Sequence, residues 1–226
     1  MAPKSTARPL PGRQPLPREF ITHHQRARII AALANETSEK GYRQVTVADI
    51  VRRAGIARNT FYENFRSKED CFLATQEFAM STALERVVEA AGRYENWTER
   101  VRAGLSAFLQ YVVEEPALAR TCMVEALSAG PAAVQRYEES QQAFVSLFRL
   151  GRDVSPHGGE LPDTLEEAII GGVFWIVYQR LAVSEVKEIP EVLPELVEFA
   201  LTPYLGAEAA GKFASAEAAG SEARPE

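Results

Sequence analysis

Two short helix patterns separated by a single glycine, between Thr46 and Asn64, constrain this chain more than any other stretch. Thr46 and Asp49 form a Thr-x-x-Asp start, in which a hydroxyl satisfies an orphan N–H and a carboxylate sits at the positive helix end. Val47, Ile50, Val51 and Ala54 recur at helical spacing and make one apolar face. Gly55 ends the pattern, as a residue that tolerates a left-handed backbone. Ile56 and Ala57 lead into a second short helix from Arg58 to Asn64. Phe61 and Phe65 lie four apart and face inward, which leaves Arg58, Asn59, Tyr62 and Glu63 facing outward. Ser67 with Asp70 is a further Ser-x-x-Asp start, with Lys68 in its first turn.

Two short helices joined by a tight glycine turn are a helix-turn-helix pattern, whose second helix enters the DNA major groove. The run Ala54-Gly55-Ile56-Ala57-x-x-Thr60-Phe61-Tyr62-x-x-Phe65-x-Ser67-Lys68-Glu69 resembles the N-terminal signature of the TetR family of transcriptional regulators. The resemblance covers about Ile21 to Phe72. Two positions depart from it. Ala57 replaces the Ser or Thr often found at that helix start, which weakens the cap by about 1 kcal/mol. Phe72 stands where a Leu is common.

Charge supports the same reading independently. Residues 1–70 carry 13 Lys or Arg against 7 Asp or Glu, a net of +6. The remaining 12 basic and 24 acidic residues sum to −12, so the basic end is the end with the helix-turn-helix. No apolar run approaches the roughly 20 residues of a membrane span. The longest, Ala168 to Tyr178, has eleven residues with two glycines. The first twenty residues are rich in Pro and Arg and lack the apolar segment of a signal peptide. Two cysteines in 226 residues fit a reducing compartment without a disulfide framework. The expectation is a cytoplasmic protein.

Helical spacing continues through the chain with no competing strand alternation, which predicts an all-α fold. Residues 1–19 read as a disordered basic arm, 20–70 as the DNA-binding domain, 71–205 as a helical ligand-binding and dimerisation domain, and 206–226 as a disordered tail. Thr22 and Gln25 form a capping box for the first helix, with Ile21 as its staple. The segment from Leu165 to Val186 is apolar nearly all round, which predicts burial on more than one side and a partner subunit. In the resemblance, the last two long helices pair with their two-fold mates. Ile169, Gly172, Val173, Ile176, Leu196 and Val197 are the expected interface.

The resemblance implies a homodimer that binds double-stranded DNA at a near-palindromic operator. It is expected to act as a repressor released by a small apolar ligand. An activator, or a regulator that needs no ligand, remains open. Arg58 and Asn59 suit base edges. Arg43, Thr46, Thr60, Tyr62 and Lys68 suit phosphates, which position rather than specify. Phe108, Tyr111, Met123, Phe144, Phe148, Trp175 and Tyr178 are candidate walls of a ligand pocket. No phosphate loop, nucleophile elbow or paired His–carboxylate motif points to an enzyme, so a helical enzyme is the remote alternative. No cofactor motif is present. His23, His24 and His157 are scattered without metal-ligand spacing, and Cys71 and Cys122 lie in apolar helical settings that favour small buried hydrophobes over oxidant sensing.

Overall fold

The computed structural model describes residues 18–183 and 186–216. Every element among the described residues is helical. α1 (Arg18–Lys40), a 3-10 turn (Tyr42–Gln44), α2 (Val47–Ala54) and α3 (Arg58–Asn64) form the N-terminal domain. α4 (Lys68–Ala91) leads into the body of α5 (Trp97–Glu114), α6 (Pro116–Met123), α7 (Ala126–Ala129), α8 (Pro131–Arg149) and α9 (Gly151–Val154). A 3-10 turn (Gly158–Glu160), α10 (Leu165–Ala182), a second 3-10 segment (Val186–Val192), α11 (Leu193–Leu205) and α12 (Ala207–Ala216) complete it.

The N-terminal core forms where the sequence pattern places it. Ile29 and Leu33 of α1, Ile50 of α2, Phe61 of α3, and Phe65 and Phe72 beyond it are all essentially inaccessible. The Phe61 and Phe65 rings meet at 5.9 Å, and Tyr42 packs edge-on against Phe72 at 4.7 Å. Burying a side chain of this size contributes about 1.5–3 kcal/mol, so α2 and α3, too short to persist alone, are held by packing.

Two expected boundaries are corrected. α1 begins at Arg18, so Thr22 lies inside the helix and is not its cap. The side chains of Ile21 and His23, and residues 1–17 and 217–226, lie outside the described residues. The expected tail is helical over Ala207–Ala216. Ala210 and Ala214 are buried, and Arg102 of α5 lies 4.8 Å from the centroid of the Phe213 ring while donating to the Ala214 carbonyl at 3.2 Å. The Ala-rich composition that suggests low complexity is also the composition with the highest helix propensity.

α10 is buried on two of its faces within the protomer. Ile169, Ile170, Val173, Phe174, Val177 and Leu181 are all buried. At its start Glu166 is 1% exposed and accepts from Arg152 Nε at 2.7 Å, Arg152 Nη2 at 2.9 Å and the Tyr204 hydroxyl at 3.0 Å. Burial alone would raise the Glu166 carboxyl, but the Arg152 guanidinium and the Tyr204 hydroxyl outweigh it and hold it below its ordinary value. This buried pair ties α9 and α11 to the start of α10.

Candidate functional site

The exposed face of the N-terminal domain is built from its caps. The Thr46 hydroxyl accepts from Asp49 N–H at 3.2 Å, and the Asp49 carboxylate accepts from the Thr46 N–H at 3.0 Å and hydroxyl at 2.6 Å. This is a complete capping box. The Thr46 hydroxyl and Lys40 hold the Asp49 carboxyl well below the usual carboxylate range. Lys40 bridges Asp49 at 2.9 Å and Glu36 at 2.7 Å, and Arg53 joins Glu36 at 2.7 Å and also pairs with Glu39. The network fixes α2 on α1. At the other end of α2, Gly55 adopts φ 62° and ψ 42°, the left-handed conformation expected of it. Arg28 of α1 donates to the Ala54 and Gly55 carbonyls, so the turn between the two short helices is clamped from behind.

With Phe61 and Phe65 locked inward, α3 presents Arg58, Asn59, Tyr62 and Glu63 to solvent. Arg58 lies 5.8 Å from the Tyr62 ring centroid and 3.4 Å from its hydroxyl, so the two side chains share one exposed row. Tyr62 is 47% exposed. Thr60 is half-buried, and its carbonyl accepts from Asn64 Nδ2 at 2.8 Å. Arg43 and Thr46 are exposed at the edge of the same domain.

Lys68 does not join this row. Its ammonium donates to the Tyr42 carbonyl at 2.9 Å and the Val45 carbonyl at 2.8 Å, and sits 4.1 Å from the Tyr42 ring centroid. Burial lowers its pKa. In the absence of DNA, Lys68 satisfies carbonyls of the turn that precedes α2. Sequence reasoning missed a second partner of the same turn. Glu125, between α6 and α7, accepts from the Tyr42 N–H at 3.0 Å. Thr121 of α6 donates to the Ala34 carbonyl of α1 at 3.2 Å. No local spacing signals Glu125, which lies 83 residues from Tyr42.

The candidate pocket residues fall into three groups. Phe108, Phe144 and Phe148 line an apolar cavity between α4, α5, α8 and α10, whose empty space of about 610 Å³ includes open solvent at its mouth. Phe174 stacks on Phe108 at 5.2 Å and meets Phe144 edge-on at 5.6 Å, completing an aromatic wall of which the sequence reading names Phe108 and Phe144 but not Phe174. Met123, Trp175 and Tyr178 line a separate surface groove with Leu127, Tyr137 and Gln141. Trp175 and Tyr178 stack there at 5.3 Å. Tyr111 lines neither; Arg86 lies 5.1 Å from its ring centroid.

The expected interface set is also divided. Ile169, Val173, Leu196 and Val197 are at most 1% exposed within one protomer, so they belong to its own core, and Gly172 and Ile176 are half-buried. The outward row of α10 and α11 carries Trp175 at 57% and Phe199 at 46% exposure, with Val183 at 64% just beyond α10. A Cβ on Gly172 would stand 3.0 Å from the Phe199 ring, so the glycine lets α11 approach closely.

Among the described residues, no group of three or more His, Cys, Asp or Glu stands together as a metal site. His157 faces Glu160 at 3.6 Å on an exposed loop. Cys71 and Cys122 are buried, and burial pushes the Cys71 thiol up to about 12 and the Cys122 thiol further. Buried thiols in apolar surroundings are structural as a rule. No helix among the described residues is long and apolar enough to cross a membrane.

A capped helix-turn-helix with one exposed helix face is the geometry that fits a DNA major groove, and here it stands on a helical body with an apolar cavity. Residues 29–75 match the family model of bacterial regulatory proteins of the tetR family. The match runs from the middle of α1 to the first turns of α4 and so covers the helix-turn-helix. The chain is 26% identical over 178 residues to the HTH-type transcriptional regulator EthR of Mycolicibacterium smegmatis, covering 78% of this chain and 82% of that protein. It is 24% identical over 120 residues to the fatty acid metabolism regulator protein of Bacillus subtilis, covering 53% and 62%. Among solved structures, the fatty acid degradation regulator FadR from Bacillus halodurans superposes with a TM-score of 0.72 at 18% identity, covering 78% of this chain and 94% of that one. FadR from Bacillus subtilis, in complex with stearoyl-CoA, gives 0.67 at 20% identity, covering 80% and 98%. These superpositions establish the shared fold.

Proposed function

We propose that the protein is a homodimeric repressor that binds a near-palindromic operator and is released by a small apolar ligand held in the body cavity. The observation that carries this reading is the arrangement of α3: its apolar residues are locked into the domain, and its exposed row begins with Arg58 and Asn59. Arg suits guanine and Asn suits adenine in the major groove. Arg43, Thr46, Thr60 and Tyr62 then serve phosphates around that helix, a role that fixes register.

The dimer is supported by the outward row of Trp175, Val183 and Phe199, which leaves large apolar side chains in water on adjoining elements. A two-fold dimer sets its recognition helices about 34–36 Å apart, one DNA turn, and reads two half-sites. The ligand reading is supported by the cavity lined by Phe108, Phe144 and Phe174, and by the stearoyl-CoA complex of the similarly folded Bacillus subtilis FadR. A ligand shifts DNA binding only by its differential affinity for the two states, commonly about 1–3 kcal/mol of coupling. The cytoplasm is the compartment where such a protein meets DNA in a bacterium.

The test is a reporter fused to the promoter beside its own gene, measured with and without the protein. Lower expression with the protein present is the expected result. Higher expression makes it an activator of the same fold. No change removes that promoter as its target.

A further inference from the structure

The cavity between α4, α5, α8 and α10 is apolar along most of its wall, but one end is not. Trp97 and Arg100 both line it, one helical turn apart on α5. Trp97 is 7% exposed, and its indole N–H is buried with no hydrogen-bond partner. An unsatisfied buried donor costs about 1–3 kcal/mol, so it stands in need of an acceptor. The indole is firmly seated. A Cβ on Gly151 would lie 2.3 Å from its ring, and Tyr204 meets it edge-on at 4.8 Å. Arg100 is half-buried and, among the described residues, its guanidinium has no ion-pair or hydrogen-bond partner. Other arginines of the body are engaged: Arg102 with the Ala214 carbonyl, Arg136 with Glu77 and Arg152 with Glu166.

The aromatic end lies further along the same helix. Phe108 is eight residues beyond Arg100 and eleven beyond Trp97, which at about 1.5 Å per residue is roughly 12 and 16 Å. The cavity therefore has an apolar end lined by Phe108, Phe144 and Phe174, and an end lined by Trp97 and Arg100, which carry the unpartnered indole N–H and a guanidinium. We propose that the effector is an amphipathic molecule: an extended alkyl chain against the aromatic end, and an anionic acceptor group held by Arg100 and the Trp97 indole. This rests on the reading of the cavity as the effector site. Apolar contact supplies most of the affinity. The head group supplies discrimination, because a neutral head leaves a cation and a donor unpaired.

The head could be the carboxylate of a free fatty acid or the phosphates of an acyl thioester. The test is calorimetric titration of the full chain with dodecanoate, dodecanoyl-CoA and dodecanol, repeated on Arg100→Gln and Trp97→Phe. The expected result is tighter binding of at least one anionic probe than of dodecanol, by tenfold or more. That preference should fall several-fold in each variant, while dodecanol binding changes little. Trp97→Phe keeps a ring in the slot and removes only the donor, and the melting temperature of each unliganded variant reports whether the fold survives. Preference for dodecanoate over dodecanoyl-CoA assigns a free carboxylate, and the reverse assigns the thioester. Equal binding of all three by the wild-type chain, or an anion preference unmoved in both folded variants, overturns the head-group assignment and leaves the apolar cavity standing. If none of the three binds, the cavity reading falls and this inference falls with it.

Discussion

Arg58 and Lys68 show how far a residue's type can mislead about its role. Both are cations within the helix-turn-helix region, and both suit DNA. Arg58 is exposed beside Tyr62, whereas Lys68 is committed to two carbonyls from the turn before α2. Arg58→Ala is expected to weaken specific DNA binding by about 1–3 kcal/mol and to relax the base preference at one position. Binding to a set of single-base operator variants measures this. Lys68→Ala is expected to destabilise the fold by about 1.5–3 kcal/mol, since charge-assisted bonds to buried carbonyls are lost. Its DNA affinity should fall with the salt slope of the wild-type chain retained. A slope reduced by about one would instead restore Lys68 as a phosphate contact. The capping box at Thr46 and the left-handed Gly55 were legible because each depends on residues within a few positions. The roles of Lys68 and Glu125 were not, because their partners belong to a turn distant in sequence.

At the scale of elements, α10 illustrates what periodicity conveys. An apolar circumference announced burial on several sides, and two of those sides are filled by the protomer itself. Which face remained for a partner depended on how α8 and α11 pack, which no single-helix pattern contains. The exposed Trp175 and Phe199 carry the proposed interface. Trp175→Arg with Phe199→Arg is expected to yield monomers in sedimentation at micromolar concentration, with DNA affinity reduced strongly. A dimer that persists would put the interface elsewhere. Val173→Arg is expected to unfold the body, because Val173 is 1% exposed in one protomer. α12 was hidden by its composition, since alanine-rich sequence serves both tails and helices and only the contact with Arg102 of α5 decides between them. The link between body and DNA domain is also an element-scale feature. Glu125→Ala removes the acceptor of the Tyr42 N–H, and is expected to lower the melting temperature and loosen the turn before α2. Amide hydrogen exchange at Tyr42 reads the second effect directly, and unchanged protection there would show that the contact holds nothing in place.

For the whole molecule, the division into a basic end and an acidic body was legible in charge alone, and the all-α architecture in spacing. The cavity was not, because its walls come from four helices spread between Val87 and Phe174. Several carboxylates are held below their ordinary values: Glu36 by Lys40 and Arg53, Asp49 by Thr46 and Lys40, Asp70 by Arg66, and Glu166 by Arg152 and Tyr204 against the cost of burial. A depressed carboxyl contributes stability that is present above its unfolded pKa and is lost as pH falls through the folded one. Stability to urea should therefore decline from about pH 5 downward. Glu166→Gln, which leaves Arg152 without its charge partner, should cost about 3 kcal/mol near neutrality and progressively less in acid. A difference independent of pH would mean that the Glu166 charge plays no part.

The central claim is that α3 reads DNA sequence as one half of a two-fold pair. The most direct test is selection of bound fragments from fragmented genomic DNA by the purified full chain, carried out at two stated salt concentrations. Recovery of a single near-palindromic motif with half-sites one helical turn apart, at both salt concentrations, is the predicted result. Weak binding that collapses with salt and yields no shared motif would contradict it.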